Sequence, residues 1–338
     1  MTGFGIYGRN LSMPLHPLAI GCIAIALATA SATARTWTST DGEQTFEADF
    51  IRYNPATGEV TVRMAANANT LTFHASRLSE DDREWLERVA EDPGRIKAIL
   101  TRDFEDDAWA EGIRGTNRGH LRIMKPGDRG FDPIDGRALR ISIPRGNHYG
   151  SSMAVHFADH LPEEPQTAYF RYHIRLCDHW QTRFSGKLPG FGGTYNREGW
   201  GGKPTDGSRG WSTRGLFVAY DGGGRRASVP VGFYSYHADM RGTYGDNWRW
   251  DEAGWLAPGR WHLIEQEIRL NTPDRSDGVI SAWVDGRRVY HNTRARFRNN
   301  PSLNVQTVWL NVYYGGTTPA EHDLHLDIDN LFIAMERP

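Results

Sequence analysis

Ala168-Tyr169-Phe170-Arg171-Tyr172-His173-Ile174-Arg175-Leu176 alternates residue by residue. As a strand it sets Phe170, Tyr172, Ile174 and Leu176 on one face and Tyr169, Arg171, His173 and Arg175 on the other. The first face suits a core, and the second is a cationic stripe. Outward from this stretch, short runs of the same kind recur: Ala138 to Ile143, Met153 to Phe157, Arg214 to Ala219, Val231 to His237, Trp261 to Leu270, Val279 to Val284, Thr307 to Val312 and His325 to Ala334. Asp285-Gly286, between Ala282-Trp283-Val284 and Val289-Tyr290, predicts a hairpin turn. Many short strands with Gly and Pro turns, and no long helical period, imply an antiparallel sandwich or β-jelly roll over residues 104 to 338. The stretches 177 to 211 and 238 to 260 are glycine-rich and polar, and read as loops that carry binding chemistry on such a scaffold.

Upstream, Thr45 to Ile51, Glu59 to Met64 and Thr70 to Phe73 read as a small meander with a turn at Asn54-Pro55-Ala56-Thr57-Gly58. Ser79 can cap a helix over Glu80 to Ala90 whose apolar side is Trp85, Leu86 and Val89. Trp37-Thr38-Ser39-Thr40-Asp41-Gly42, Phe46-Glu47-Ala48-Asp49-Phe50 and Leu78-Ser79-Glu80-Asp81-Asp82-Arg83-Glu84-Trp85-Leu86 together resemble the SLA1 homology domain 1 type of SH3-like module. The resemblance implies a compact barrel over residues 35 to 92 that binds an unknown surface or partner or acts as a spacer, with no reaction centre. Asp92-Pro93-Gly94 closes it, and 93 to 103 read as a linker.

At the start of the chain, Arg9 and His16 precede the apolar run Leu18 to Ala30, and Ala32-Thr33-Ala34 follows with small-x-small spacing. Residues 1 to 34 therefore read as a signal peptide, which makes the protein secreted or periplasmic without stable membrane insertion once the signal is removed. Cys22 lies inside the apolar run instead of after it, which argues against a lipoprotein. Cys177 is then the single remaining cysteine, read as a buried structural thiol, and no intrachain disulfide is possible.

The formal net charge of -2 gives no global attraction to nucleic acid. Its distribution says more, since between residues 165 and 250 twelve Lys or Arg residues stand against six Asp or Glu. A local cationic excess of this kind points to an anionic ligand. Arg suits a carboxylate because its planar fork binds two oxygens at once.

Three ordered pieces sharpen that reading. They are Gly186-Lys187-Leu188-Pro189-Gly190, Trp211-Ser212-Thr213-Arg214 and Tyr234-Ser235-Tyr236, with Trp261-His262, Trp283-Val284-Asp285-Gly286 and Asp327-Ile328-Asp329-Asn330-Leu331-Phe332 following in order. Together they resemble polysaccharide lyase family 14, over about residues 104 to 336. The resemblance implies a jelly roll that cleaves alginate or glucuronan by β-elimination without a cofactor. Lys187 matches the family's active-site lysine, Ser212 and Arg214 its serine and arginine, and Tyr234 and Tyr236 its tyrosine pair. Lys187, Arg214, Tyr234 and Tyr236 are the candidate catalytic residues. Ser212, Arg171, His173, Arg175, Trp211, Asn311 and Tyr313 are the candidate substrate contacts. A tyrosine and Lys187 remain alternative bases at this stage. No Gly-x-Ser-x-Gly elbow surrounds Ser212, so its role is orientation and not attack.

Three other readings compete. Asp323, His325, Asp327 and Asp329 share a strand face and could bind a cation, but anchoring of loop backbone suits them better. Carboxylates from Asp239 to Glu267 show no spacing that selects a hydrolytic pair. A non-catalytic protein that binds acidic glycans would use Trp200, Trp211, Trp248, Trp250 and Tyr313 as its stacking surface.

Overall fold

The computed structural model describes residues 35–55, 57–64, 69–91, 97–116, 120–180, 183–219 and 228–338. The signal-peptide reading and the Asp92-Pro93-Gly94 boundary lie outside the described residues. Near the N-terminus, β1 (Arg35–Thr38), β2 (Thr45–Asn54), β3 (Glu59–Met64) and β4 (Thr70–His74) form an antiparallel sheet in that order, followed by helix α1 (Glu80–Glu91). The Ser79 hydroxyl accepts the Asp82 amide at 3.3 Å, as its position before the helix requires. Trp37, Val60, Val62, Trp85 and Leu86 build a separate small core, in which the Trp37 and Trp85 rings meet edge to face at 5.4 Å.

The larger part begins with β5 (Leu100–Arg102), β6 (Leu121–Met124), β7 (Ala138–Ile143), β8 (Tyr149–His156) and β9 (Thr167–Leu176). It continues with β10 (Gly186–Gly193), β11 (Trp211–Phe217), β12 (Val231–Tyr236), β13 (Asp246–Arg249) and β14 (Trp261–Arg269). The last strands are β15 (Gly278–Val284), β16 (Arg287–Ala295), β17 (Thr307–Tyr314) and β18 (Leu324–Ala334). They make two antiparallel sheets. The front sheet has six strands in the order β13-β12-β11-β10-β17-β8, and the back sheet has eight, β16-β15-β14-β9-β18-β7-β6 with β5 on β18.

The apolar face of β9 behaves as its alternation requires. Phe170, Tyr172, Ile174 and Leu176 enter the core between the sheets, where Phe170 meets Phe191 of β10 edge-on at 5.0 Å. Across the same interface the Gln266 side-chain amide donates to the Pro189 carbonyl at 2.9 Å. The Asp285-Gly286 turn has φ of 51° and 79°, the left-handed pair that a tight hairpin between β15 and β16 demands.

Two stretches expected to be loops contain strands. β10 lies within 177 to 211, in the middle of the front sheet, and β13 lies within 238 to 260 at its edge. Glycines and a proline hid β10, although the glycines are what its position needs. A Cβ on Gly190 would come within 2.5 Å of the Thr213 carbonyl on the neighbouring strand. A β-bulge between Leu188 and Gly190 takes up Pro189.

The cationic stripe of β9 lies on the outer face of the back sheet, and it is covered. Arg175 donates to the Gly259 carbonyl at 3.0 Å and stands 3.9 Å from Asp327, which Arg140 holds bidentately at 2.7 and 2.9 Å. The Arg171 guanidinium lies 5.1 Å over the Phe332 ring. Tyr169 donates to Glu265 at 2.6 Å. Burial, and then the charge of Arg171, draws His173 down to about 4, so its imidazole is neutral near pH 7. Cys177 is buried, and burial pushes its thiol up to about 11, which suits an inert structural thiol. No helix among the described residues is long and apolar enough to cross a membrane.

Candidate active site

The outer face of the front sheet collects the other candidates. Pairing of β11 with β12 sets Arg214 opposite Tyr234 and Ser212 opposite Tyr236, and β10 pairs with β17 so that Lys187 lies opposite Tyr313. Leu188, Phe191, Trp211, Phe217, Phe233, Leu310 and Val312 all point into the core. By the two-residue period, Lys187, Arg214, Tyr234, Tyr236, Trp309, Asn311 and Tyr313 point the other way.

Cationic and aromatic groups interleave there. The Lys187 ammonium sits 4.1 Å from the Tyr234 ring centroid and 5.5 Å from that of Tyr313. The Arg214 guanidinium lies 4.7 Å over Trp309 and 5.7 Å over Tyr234. Tyr234 and Tyr236 meet edge to face at 5.6 Å. Cations over aromatic faces gain attraction from the ring quadrupole, and the rings exclude water around them.

Arg214 is held, and part of it is left free. One terminal nitrogen donates to the Asn311 side-chain oxygen at 3.0 Å, while the Asn311 amide donates to the Ser151 carbonyl at 2.9 Å. The Arg214 Nε is buried without a hydrogen-bond partner among the described residues. A buried donor left open in this way is suited to an incoming carboxylate. Asn311 thus fixes one end of the Arg214 guanidinium.

Backbone amides hold both tyrosine hydroxyls. Tyr234 accepts from Gly245 N–H and Tyr236 from Gly202 N–H, each at 3.1 Å. Burial, then the hydrogen bond to Tyr236, lifts the Tyr234 hydroxyl well above the usual phenol range. Burial, then the charge of Arg214, lowers Lys187 to about 8, and burial lowers Arg214 to about 10, so at neutral pH the arginine stays charged. The site therefore contains an amine that is partly neutral near pH 8 beside a phenol that keeps its proton.

The remaining candidates are placed elsewhere. Ser212 is buried and donates to the Gly199 carbonyl at 2.5 Å, which ties down the loop that carries Gly202. Trp211 is buried in the core against Phe297, on the face opposite to Arg214. Arg171, His173 and Arg175 belong to the back sheet and do not reach this face. Trp250 is buried and Trp248 packs against the core, so neither offers a stacking surface. Tyr149 and Trp309 were missed. Trp309 shares the parity of Asn311 and Tyr313, which was legible, whereas Tyr149 precedes the run read as a strand. The Tyr149 ring meets Tyr313 edge-on at 4.8 Å, and its phenol is close enough to perturb Arg214. Among the described residues no group of three or more His, Cys, Asp or Glu is arranged to hold a metal ion.

The chain is an antiparallel β-jelly roll that gathers a lysine, an arginine and tyrosines on one outer sheet face. The Polysaccharide lyase 14 family model matches residues 134–323, and the chain belongs to that family. By this membership it is a polysaccharide lyase of the kind that acts on acidic polysaccharides by β-elimination. The structure is similar to alginate lyase Aly36B, with 20% identity and a TM-score of 0.55 over 70% of this chain and 97% of that one. It is also similar to the marine PL-14 alginate lyase from Aplysia kurodai, with 18% identity and a TM-score of 0.54 over 71% and 100% of the two chains. Alginate lyase vAL-1 from Chlorella virus shares 17% identity and a TM-score of 0.50 over 71% and 100%. At these identities the likeness is one of fold. No curated protein matches the sequence.

Proposed function

We propose that this protein cleaves a 4-linked uronate polysaccharide, alginate or glucuronan, by β-elimination at the outer face of the front sheet. The observation that carries this reading is the convergence of Lys187, Arg214 and Tyr234 from three adjacent strands, with the Arg214 Nε unpaired. Arg214 takes the uronate carboxylate and stabilises the enolate-like charge that develops as the C5 proton leaves. The neutral Lys187 amine accepts that proton. The released electron pair forms the C4–C5 double bond, the bond from C4 to the glycosidic oxygen breaks, and Tyr234 gives its proton to the leaving oxygen. The lowered Lys187 and the raised Tyr234 favour this assignment over a tyrosine base. Tyr236, buried beside Tyr234, orients it.

We read residues 35 to 92 as an SH3-like module of the SLA1 homology type, and the protein as secreted or periplasmic after loss of residues 1 to 34. The short antiparallel sheet with its own core supports the first reading.

Incubation with polymannuronate, polyguluronate and glucuronan tests the activity through the ultraviolet absorbance of unsaturated ends. Lys187→Ala and Tyr234→Phe should each lower the rate by about 10²- to 10⁴-fold without unfolding the protein. New reducing ends without absorbance would mean hydrolysis. Binding without any product would favour a non-catalytic acidic-glycan receptor.

A further inference from the structure

Among the described residues, the exposed large hydrophobic side chains are Ile51, Leu71, Ile134, Tyr149 and Tyr244, and the two rings are 52% and 66% exposed. Both rings stand beside the candidate active site, on opposite sides of it.

Tyr149 lies on β8 opposite Tyr313, its ring edge-on to that of Tyr313, which in turn stacks on His148 at 5.5 Å. Tyr244 lies on the other side of the site, in the connection from β12 to β13, and the chain fastens it to both Tyr234 and Tyr236. It directly precedes Gly245, whose N–H bonds the Tyr234 hydroxyl. Its ring edge also lies against Gly202, where an added Cβ would stand 3.3 Å from Tyr244 Cε1, and the Gly202 N–H bonds the Tyr236 hydroxyl. From β8 to β12 the sheet order runs through β17, β10 and β11, four spacings or roughly 19 Å at about 4.8 Å each. That distance accommodates several sugar residues laid across the strands.

We infer that Tyr149 and Tyr244 are stacking platforms for sugar rings on the two sides of the cleavage point, and that they set how the polysaccharide is gripped. The inference rests on the lyase reading. An exposed, buttressed ring loses little conformational freedom when a sugar's apolar face covers it, and large rigid aromatics of this kind dominate recognition surfaces. Neither ring contributes to the core, so replacing it leaves the sandwich intact.

Steady-state kinetics on the polymer that the wild type cleaves should show KM raised roughly tenfold in Tyr149→Ala and in Tyr244→Ala. kcat should change far less, and Tyr149→Phe and Tyr244→Phe should return KM to near its original value. The phenylalanine rescue separates stacking from a hydroxyl contact. Unchanged KM in both alanine variants and in their double variant overturns the inference. Absence of unsaturated ends from polymannuronate, polyguluronate and glucuronan alike sinks the lyase reading instead. Titration of the same three polymers then decides: weaker binding by the alanine variants than by the wild type supports the platforms, and equal or absent binding overturns them.

Discussion

In the proposed mechanism the chemistry turns on Lys187. Its ammonium is surrounded by two rings and by the charge of Arg214, and burial does most to bring it down to about 8. A base must be neutral to accept a proton, so the active fraction grows as pH rises through that value. kcat/KM of the free enzyme should climb with an apparent pKa near 8 and level off above it. Tyr234, lifted above the ordinary phenol range, keeps its proton throughout that window and imposes no falling limb there. Lys187→Arg keeps the charge and cannot deprotonate, so it should abolish the rising limb together with most of the rate. A wild-type pH profile that is flat from 6 to 9, or a limb that survives Lys187→Arg, would return the role of base to a tyrosine.

At the level of elements, β10 holds the site together because glycines at four of its eight positions leave room for its neighbours. A Cβ at Gly190 would collide with the backbone of Thr213 and Arg214, which cannot rotate away. Gly190→Ala should therefore part β10 from β11, cost about 1–3 kcal/mol in urea unfolding, and lower kcat/KM more than tenfold where the variant is still folded. Retention of full activity would mean that the placement of Lys187 relative to Arg214 tolerates displacement. The same strand shows where sequence reasoning stops. Alternation in β9 identified its core face correctly, because burial of apolar side chains depends on parity alone. It could not reveal what covers the other face, where Arg171 lies against Phe332 and Arg175 against Asp327 and the loop around Gly259. β10 was read as a loop because Gly and Pro are poor strand formers on average. Here a rule about averages yields to close contact with Phe217, Arg214 and Trp211. Lys187, Arg214, Tyr234 and Tyr236, read from ordered motifs, come together on one sheet face. Trp211 was assigned against its own parity, since it must face away from Ser212 and Arg214. Asn311 was read as a substrate contact, and its bond to Arg214 depends on the pairing of β17 with β10 and β10 with β11, which no local pattern encodes.

For the whole molecule, the N-terminal module docks on the back sheet, away from the candidate active site. Arg35 donates to Asp82 at 3.1 and 2.5 Å and to the Pro338 carbonyl at 2.7 Å, and its guanidinium lies 4.5 Å over Trp85. The Trp85 indole donates to the Arg337 carbonyl. Arg337 continues the chain of contacts to Glu265 at 3.0 and 3.2 Å and lies 4.4 Å over Trp283. Both members of the Arg35–Asp82 pair are 4% exposed, so the pair is dry. Removing one partner strands a buried charge, at a cost of about 3–5 kcal/mol. Such joining predicts that the two cores unfold together in calorimetry. Asp82→Ala should lower the melting temperature and separate the module's transition from that of the sandwich, while KM on the polymer stays as it was at temperatures where both parts are folded. Deletion of residues 35–92 should likewise lower the sandwich's own melting temperature by uncovering Trp283 and the Arg337–Glu265 pair. If the truncated protein melts where the full chain does, the module is a tethered spacer, and the contacts through Arg35 and Trp85 contribute nothing to the stability of the catalytic part.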